Sequence, residues 1–138
     1  MSGLRQSRLQ TGGYYNCAAK YTLLTCQLIN MTDDIKYMVV FCTCPDEETA
    51  QAIAYSLVEH RLAACVNIIP NLISVYSWQG KICQDAELLL IIKTKQEQWP
   101  LLRQKIRELH PYQVPEIIAL PIAVGEDSYL KWIDDTVD

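Results

Sequence analysis

From Tyr37 the chain reads YMVVFCTC, apolar on both alternating sides, which is the pattern of a strand buried on two faces. Pro45 stops it. Asp46 then stands where it can cap a helix, with Glu47 and Glu48 in the first turn, where negative charge suits the helix dipole. Ala50, Ile53, Ala54, Leu57 and Val58 recur at helical spacing as one apolar stripe, and His60 and Arg61 follow at its C-terminal end. Residues 64–95 hold two β-rich runs on either side of Gln79-Gly80, the signature of a tight hairpin, and Pro70 inside the first run marks a bulge or an edge. A second helix is predicted over about 98–109, with Pro100 in its first turn and Trp99, Leu102, Ile106 and Leu109 as its apolar stripe. The stiff connector HPYQVP leads to EIIALPIAV, read as a fourth strand. A short last helix over about 128–136 presents Tyr129, Trp132 and Ile133 on one side.

The order β-α-β-β-α-β plus a C-terminal helix predicts an α+β domain with an antiparallel sheet, the ferredoxin-like split βαβ arrangement, over residues 31–138. Such a sheet carries both helices on one face, yet YMVVF, ELLLII and EIIALPIAV are apolar on both. One terminal helix is too small to cover the second face. Leaving several Leu, Ile and Val side chains wet would forgo several kcal/mol at about 25 cal/mol per Å². Another copy of the same chain is the economical cover, so the pattern predicts an oligomer.

Composition narrows the partners. Of 138 residues half are hydrophobic, a fifth charged and five glycine, which is a globular balance. The net charge of −4 is unevenly spread: Arg5, Arg8 and Lys20 lie in residues 1–32 with no acid, so the remaining nine cations face all sixteen acids. An acidic domain without a basic stripe repels phosphate backbones, which argues against nucleic acid. No run reaches the roughly 18 apolar residues of a membrane-spanning helix, so a membrane partner is not expected. Four of the six cysteines (Cys17, Cys26, Cys42, Cys44, Cys65, Cys83) lie in apolar runs, where cysteine acts as a small hydrophobe. A reducing, cytoplasmic setting fits this better than a disulfide scaffold. Residues 1–30 show weak periodicity, a Gly-Gly break and no acids, and Met31 looks like a natural start. An incidental, poorly ordered extension fits that composition better than a transit peptide or a secretory signal.

Six ordered blocks carry a family resemblance: CTCPDEETA, LAACVNIIP, SVYSWQGK, ELLLIIKT, HPYQVPEIIALP and YLKWI. Together they resemble the CutA family, the divalent-cation tolerance proteins, over about residues 37–134. The resemblance implies a ferredoxin-like subunit in a tight homotrimer, cytoplasmic in bacteria, linked to tolerance of copper and other heavy metals and in some cases binding copper. The family's proposed copper ligands, a cysteine ending the first strand and two adjacent histidines before Pro-Tyr, fall on Cys42, Leu109 and His110. Leucine cannot bind a metal, so Cys42 and His110 alone remain and binding is expected to be weak or residual.

The residues themselves admit plainer roles. Cys42 and Cys44 lie on the same side of a strand, close enough to share a soft ion such as Cu(I), or they are core and strand-end packing. The spacing is not the C-x-x-C of redox couples, and no further ligand pair completes a zinc site. His110 serves equally as a helix-end hydrogen-bonding residue, and His60 reads as a solvated helix end. Glu116 needs a partner beside a buried strand, and Lys93 is the expected one. Tyr76 and Trp78 face the same side near the turn as a packing pair, against the neighbouring subunit if the chain assembles. With no phosphate-binding glycine loop, G-x-S-x-G or H-E-x-x-H, a non-enzymatic role is expected. The rivals to metal tolerance are a trimeric small-ligand sensor resembling the nitrogen-regulatory PII proteins, a structural or anchoring trimer, and an undetected hydrolase.

Overall fold

The computed structural model describes residues 35–138. β1 (Tyr37–Cys44) leads to α1 (Glu47–Glu59), then to β2 (Cys65–Trp78) and β3 (Lys81–Lys95). A 3-10 turn over Gln96–Gln98 enters α2 (Trp99–Leu109), followed by β4 (Ile118–Pro121) and α3 (Asp127–Thr136). The strands lie in the order β2-β3-β1-β4, and every neighbouring pair is antiparallel. β1 and β2 therefore run parallel with β3 between them, which is the split βαβ fold class expected from the sequence. The expectation for residues 1–30 lies outside the described residues.

Local chemistry explains most boundaries. The Asp46 carboxylate accepts the Thr49 N–H at 2.7 Å and caps α1. At its other end Arg61 takes a left-handed conformation (φ 55°), which lets the Leu62 and Ala63 amides both reach the Leu57 carbonyl. Gln79 (φ 49°) and Gly80 (φ 76°) are both left-handed, the tight turn that matches hairpin twist. The bulge expected at Pro70 is present: the β2–β3 register shifts between Ile69 and Leu72, with Asn71 at φ 63°.

On one face of the sheet Val40, Cys42, Cys44, Leu90 and Ile92 pack against Ala50, Ile53 and Leu57 of α1 and Leu102 and Ile106 of α2. A smaller cluster joins Ala64, Ile133 and Val137 to Tyr37 and Leu130, tied by Lys36 and the Tyr37 hydroxyl, each 2.7 Å from the Asp134 carboxylate. Some stripe members stand apart from this core. Val58 lies on the exposed flank of α1, and Tyr129 and Trp132 stack on each other at 5.4 Å between ring centroids, leaving only Ile133 of the expected trio buried. β4 is also shorter than EIIALPIAV implied. Only Ile118–Pro121 pairs with β1, extended by one bond from the Ile122 N–H to the Tyr37 carbonyl at 3.0 Å. Pro121, the last residue of the strand, has no N–H to give the ladder, which weakens pairing at that end.

Among the described residues, nothing beyond the α3 cluster at Tyr37 covers the opposite face. By strand alternation it carries Val39, Phe41 and Thr43 of β1, Leu89 and Ile91 of β3, Ile69 of β2 and Ile118 and Leu120 of β4. Ile118 is 50% exposed and Ile69 44%. Beyond Cys44 the β2–β3 hairpin runs on without β1, and Ile73, Val75 and Ile82 stand largely in solvent.

Candidate metal centre

β1 places Cys42 and Cys44 on the helix side, and the end of α2 swings His110 over the same spot. The two thiol sulfurs and one imidazole nitrogen lie within 4.8 Å of one another, and all three residues are buried. Soft donors at that spacing suit a soft cation such as Cu(I). Cys44, read from sequence as strand-end packing, thus joins Cys42 and His110.

His110 also holds the backbone. Its Nε2 lies 2.7 Å from the Thr43 carbonyl, and the Tyr112 N–H donates to its Nδ1 at 3.2 Å. This pattern makes Nε2 the protonated nitrogen and Nδ1 the acceptor. β4 ends opposite Phe41, so His110 supplies the Thr43 carbonyl with a donor where no strand does. Cys42 Sγ donates to that carbonyl as well, at 3.7 Å. A metal would have to replace one of the two ring bonds. The thiols are also unequal. The neighbouring Cys44, then burial, push Cys42 well up, whereas the Cys42 S–H draws Cys44 down against desolvation. The pair favours one thiolate and one thiol over two thiolates.

Leu109 departs from the sequence reading. It is 41% exposed, with its stripe-mates Leu102 and Ile106 fully buried, so it does not pack in the subunit core. The expected Glu116–Lys93 pair does not form: Lys93 Nζ donates to Asn67 and to the Ile91 carbonyl, and Glu116 is exposed. Among the described residues the buried carboxylate is Glu87, which sequence reasoning missed. It accepts from Ser74 Oγ at 2.5 Å and from the Tyr112 hydroxyl at 3.0 Å. An acid heading the apolar run LLLII was the available signal. His60, as expected, sits at the exposed end of α1, its Nδ1 2.8 Å from the Ser56 carbonyl.

A ferredoxin-like subunit with a buried thiol–imidazole cluster defines the class. The profile of the CutA1 divalent ion tolerance protein family matches residues 38–136, and the chain belongs to that family. It is 56% identical over 95 residues to the divalent-cation tolerance protein CutA of Thermus thermophilus, a match covering 69% of this chain and 92% of that one. To the mouse protein CutA it is 48% identical over 98 residues, 71% of this chain but 55% of the mouse protein, so the chain spans about half of that relative. The solved structure of the divalent cation tolerance protein from Thermus thermophilus superposes with a TM-score of 0.73 at 52% identity, covering 74% of this chain and 99% of that one. The rice CutA1 crystal structure gives a TM-score of 0.73 at 43% identity, covering 75% and 95%.

Proposed function

We propose that this protein acts without catalysis in tolerance of divalent and heavy-metal cations, as a homotrimer that binds copper weakly through Cys42 and His110, with Cys44 as third ligand. The observation that carries the reading is the approach of the three ligand atoms to within 4.8 Å. The T. thermophilus relative is named for divalent-cation tolerance, and the family description names an ion and no reaction. Weak binding follows from the two backbone bonds of the His110 ring and the reluctance of Cys42 to ionise. The uncovered apolar sheet face supports assembly, and the free thiols of Cys42, Cys44, Cys65 and Cys83 support a reducing, cytoplasmic setting.

Anaerobic titration of the full chain with Cu(I) tests this. Cys42→Ser should abolish binding, Cys44→Ser should weaken it, and His60→Ala should leave it unchanged. Leu109→His should tighten it by restoring the second histidine, at little cost in stability because that side chain is half exposed. Tight binding that survives Cys42→Ser would overturn the assignment. A small-ligand sensor is the second reading, favoured by a cleft on the other side of β1.

A further inference from the structure

Behind the thiol cluster, on the side of the sheet away from α1 and α2, the connector after α2 and the distal half of the β2–β3 hairpin enclose a cleft of about 570 Å³. That volume is within the range of small-molecule sites. Its walls are the aromatic faces of Tyr76, Trp78 and Tyr112, each partly exposed, and its acids are Glu87 and Glu116. Among the described residues no lysine or arginine lines it. Glu87 is only 6% exposed, and its donors are the neutral hydroxyls of Ser74 and Tyr112. Neither donor carries a positive charge, and a buried carboxylate is stabilised by a cation placed against it. The Tyr76 hydroxyl donates to Asp85, which fixes that ring.

We propose that this cleft binds an organic ammonium ion with a small apolar body, its positive head between the aromatic faces and Glu87. Aromatic faces attract cations by their negative quadrupole, and desolvation between them strengthens the attraction. The two carboxylates exclude phosphorylated ligands, so the sensor reading becomes one for a cationic metabolite and not for a nucleotide. The inference is independent of copper, because the cleft and the thiol cluster lie on opposite sides of β1 and share only Thr43 and the His110–Tyr112 connection.

The test is calorimetric titration of the full chain, in its solution assembly, with choline, its neutral isostere 3,3-dimethyl-1-butanol, and ATP. Choline should bind at least about tenfold more tightly than the alcohol, the factor expected of cation–π contact reinforced by a carboxylate, and ATP should not compete. Glu87→Gln and the exposed Glu116→Gln should each weaken choline, and Cys42→Ser should not. If Glu87→Gln unfolds, the isostere comparison and Glu116→Gln still decide. Equal binding of choline and alcohol, displacement of choline by ATP, or absence of choline binding would overturn the proposal. If Glu87→Gln lowers the assembly mass and choline does not bind, the cleft is filled by a neighbouring copy and the proposal fails.

Discussion

The two faces of the sheet are built from the same strands and nearly the same side chains, yet they end in opposite states. Val40, Cys42, Leu90 and Ile92 point under α1 and α2 and lose all contact with water, whereas Ile69, Ile118 and Leu120 across the same ladder remain about half exposed. Strand alternation normally separates apolar from polar sides. Here it separates apolar residues buried among the described residues from apolar residues that the described residues leave about half exposed. On the proposed reading the first face encodes the subunit and the second the assembly.

Substitution on each face should sharpen that division. The largest loss is expected for Ile106→Ala, which empties a fully buried site between α2 and the sheet and should cost about 2–5 kcal/mol in urea unfolding. Ile118→Ala should cost far less in the subunit. Because assembly and stability are linked, the two variants must be compared at one chain concentration. If Ile118→Ala is the more destabilising at every concentration, the uncovered face is not an interface but a misjudged core.

A charge on the second face should act on mass. Light scattering should give about three times the 15.8 kDa chain mass for the unaltered protein, in keeping with a closed cyclic assembly. Ile118→Asp should shift it towards the single chain while far-ultraviolet circular dichroism stays unchanged. A folded monomer in the unaltered protein would end the argument from two-faced strands.

Those strands were legible because their apolar runs are long and punctuated by residues with fixed consequences: Pro45, Pro70 and Gln79-Gly80 each stop or bend the chain where the structure does. The fold class followed from element order alone. Less legible was which members of an apolar stripe meet the core, since Val58, Leu109, Tyr129 and Trp132 follow helical spacing but lie on flanks that the described residues leave open. For the site, proximity in sequence revealed Cys42 and Cys44 but not the bonds that occupy His110, which depend on β4 ending early. Glu87 was missed for a sharper reason. The bulge after Ile69 adds a residue to β2, and a shift of one residue exchanges the faces of every side chain beyond it. Only the true register sets Ser74 beside Glu87.

A smaller effect tests the polar seam where the helix-covered face ends. Thr94 is fully buried, and its hydroxyl donates to the Leu62 carbonyl at 2.6 Å, holding the loop after α1 against β3. Thr94→Val keeps the shape and removes the donor, so it should cost about 1–3 kcal/mol, the penalty of a buried carbonyl left without its partner. No measurable change would mean that the loop relaxes and that the seam contributes shape alone.

The smallest expected effect is acid sensitivity at two surface carboxylates, Asp46 and the half-buried Asp134. The Thr49 backbone N–H holds the Asp46 carboxyl below its ordinary value of 3.8, and Lys36, then the Tyr37 hydroxyl, do the same for Asp134. For a group whose folded pKa is depressed, the stabilisation is complete above the unfolded value and is lost as pH falls through the folded one. Stability from both groups should therefore be level from neutral pH down to about 4 and decline below it. Asp46→Ala should lower the melting temperature at pH 7 by less than Ile106→Ala does, and the gap from the unaltered protein should close as pH drops below that point. Asp46→Asn, which keeps an oxygen acceptor for the Thr49 amide without the charge, should restore most of the loss and flatten the acid decline. A gap that persists undiminished at low pH would show that the Asp46 contribution comes from something other than its charged cap.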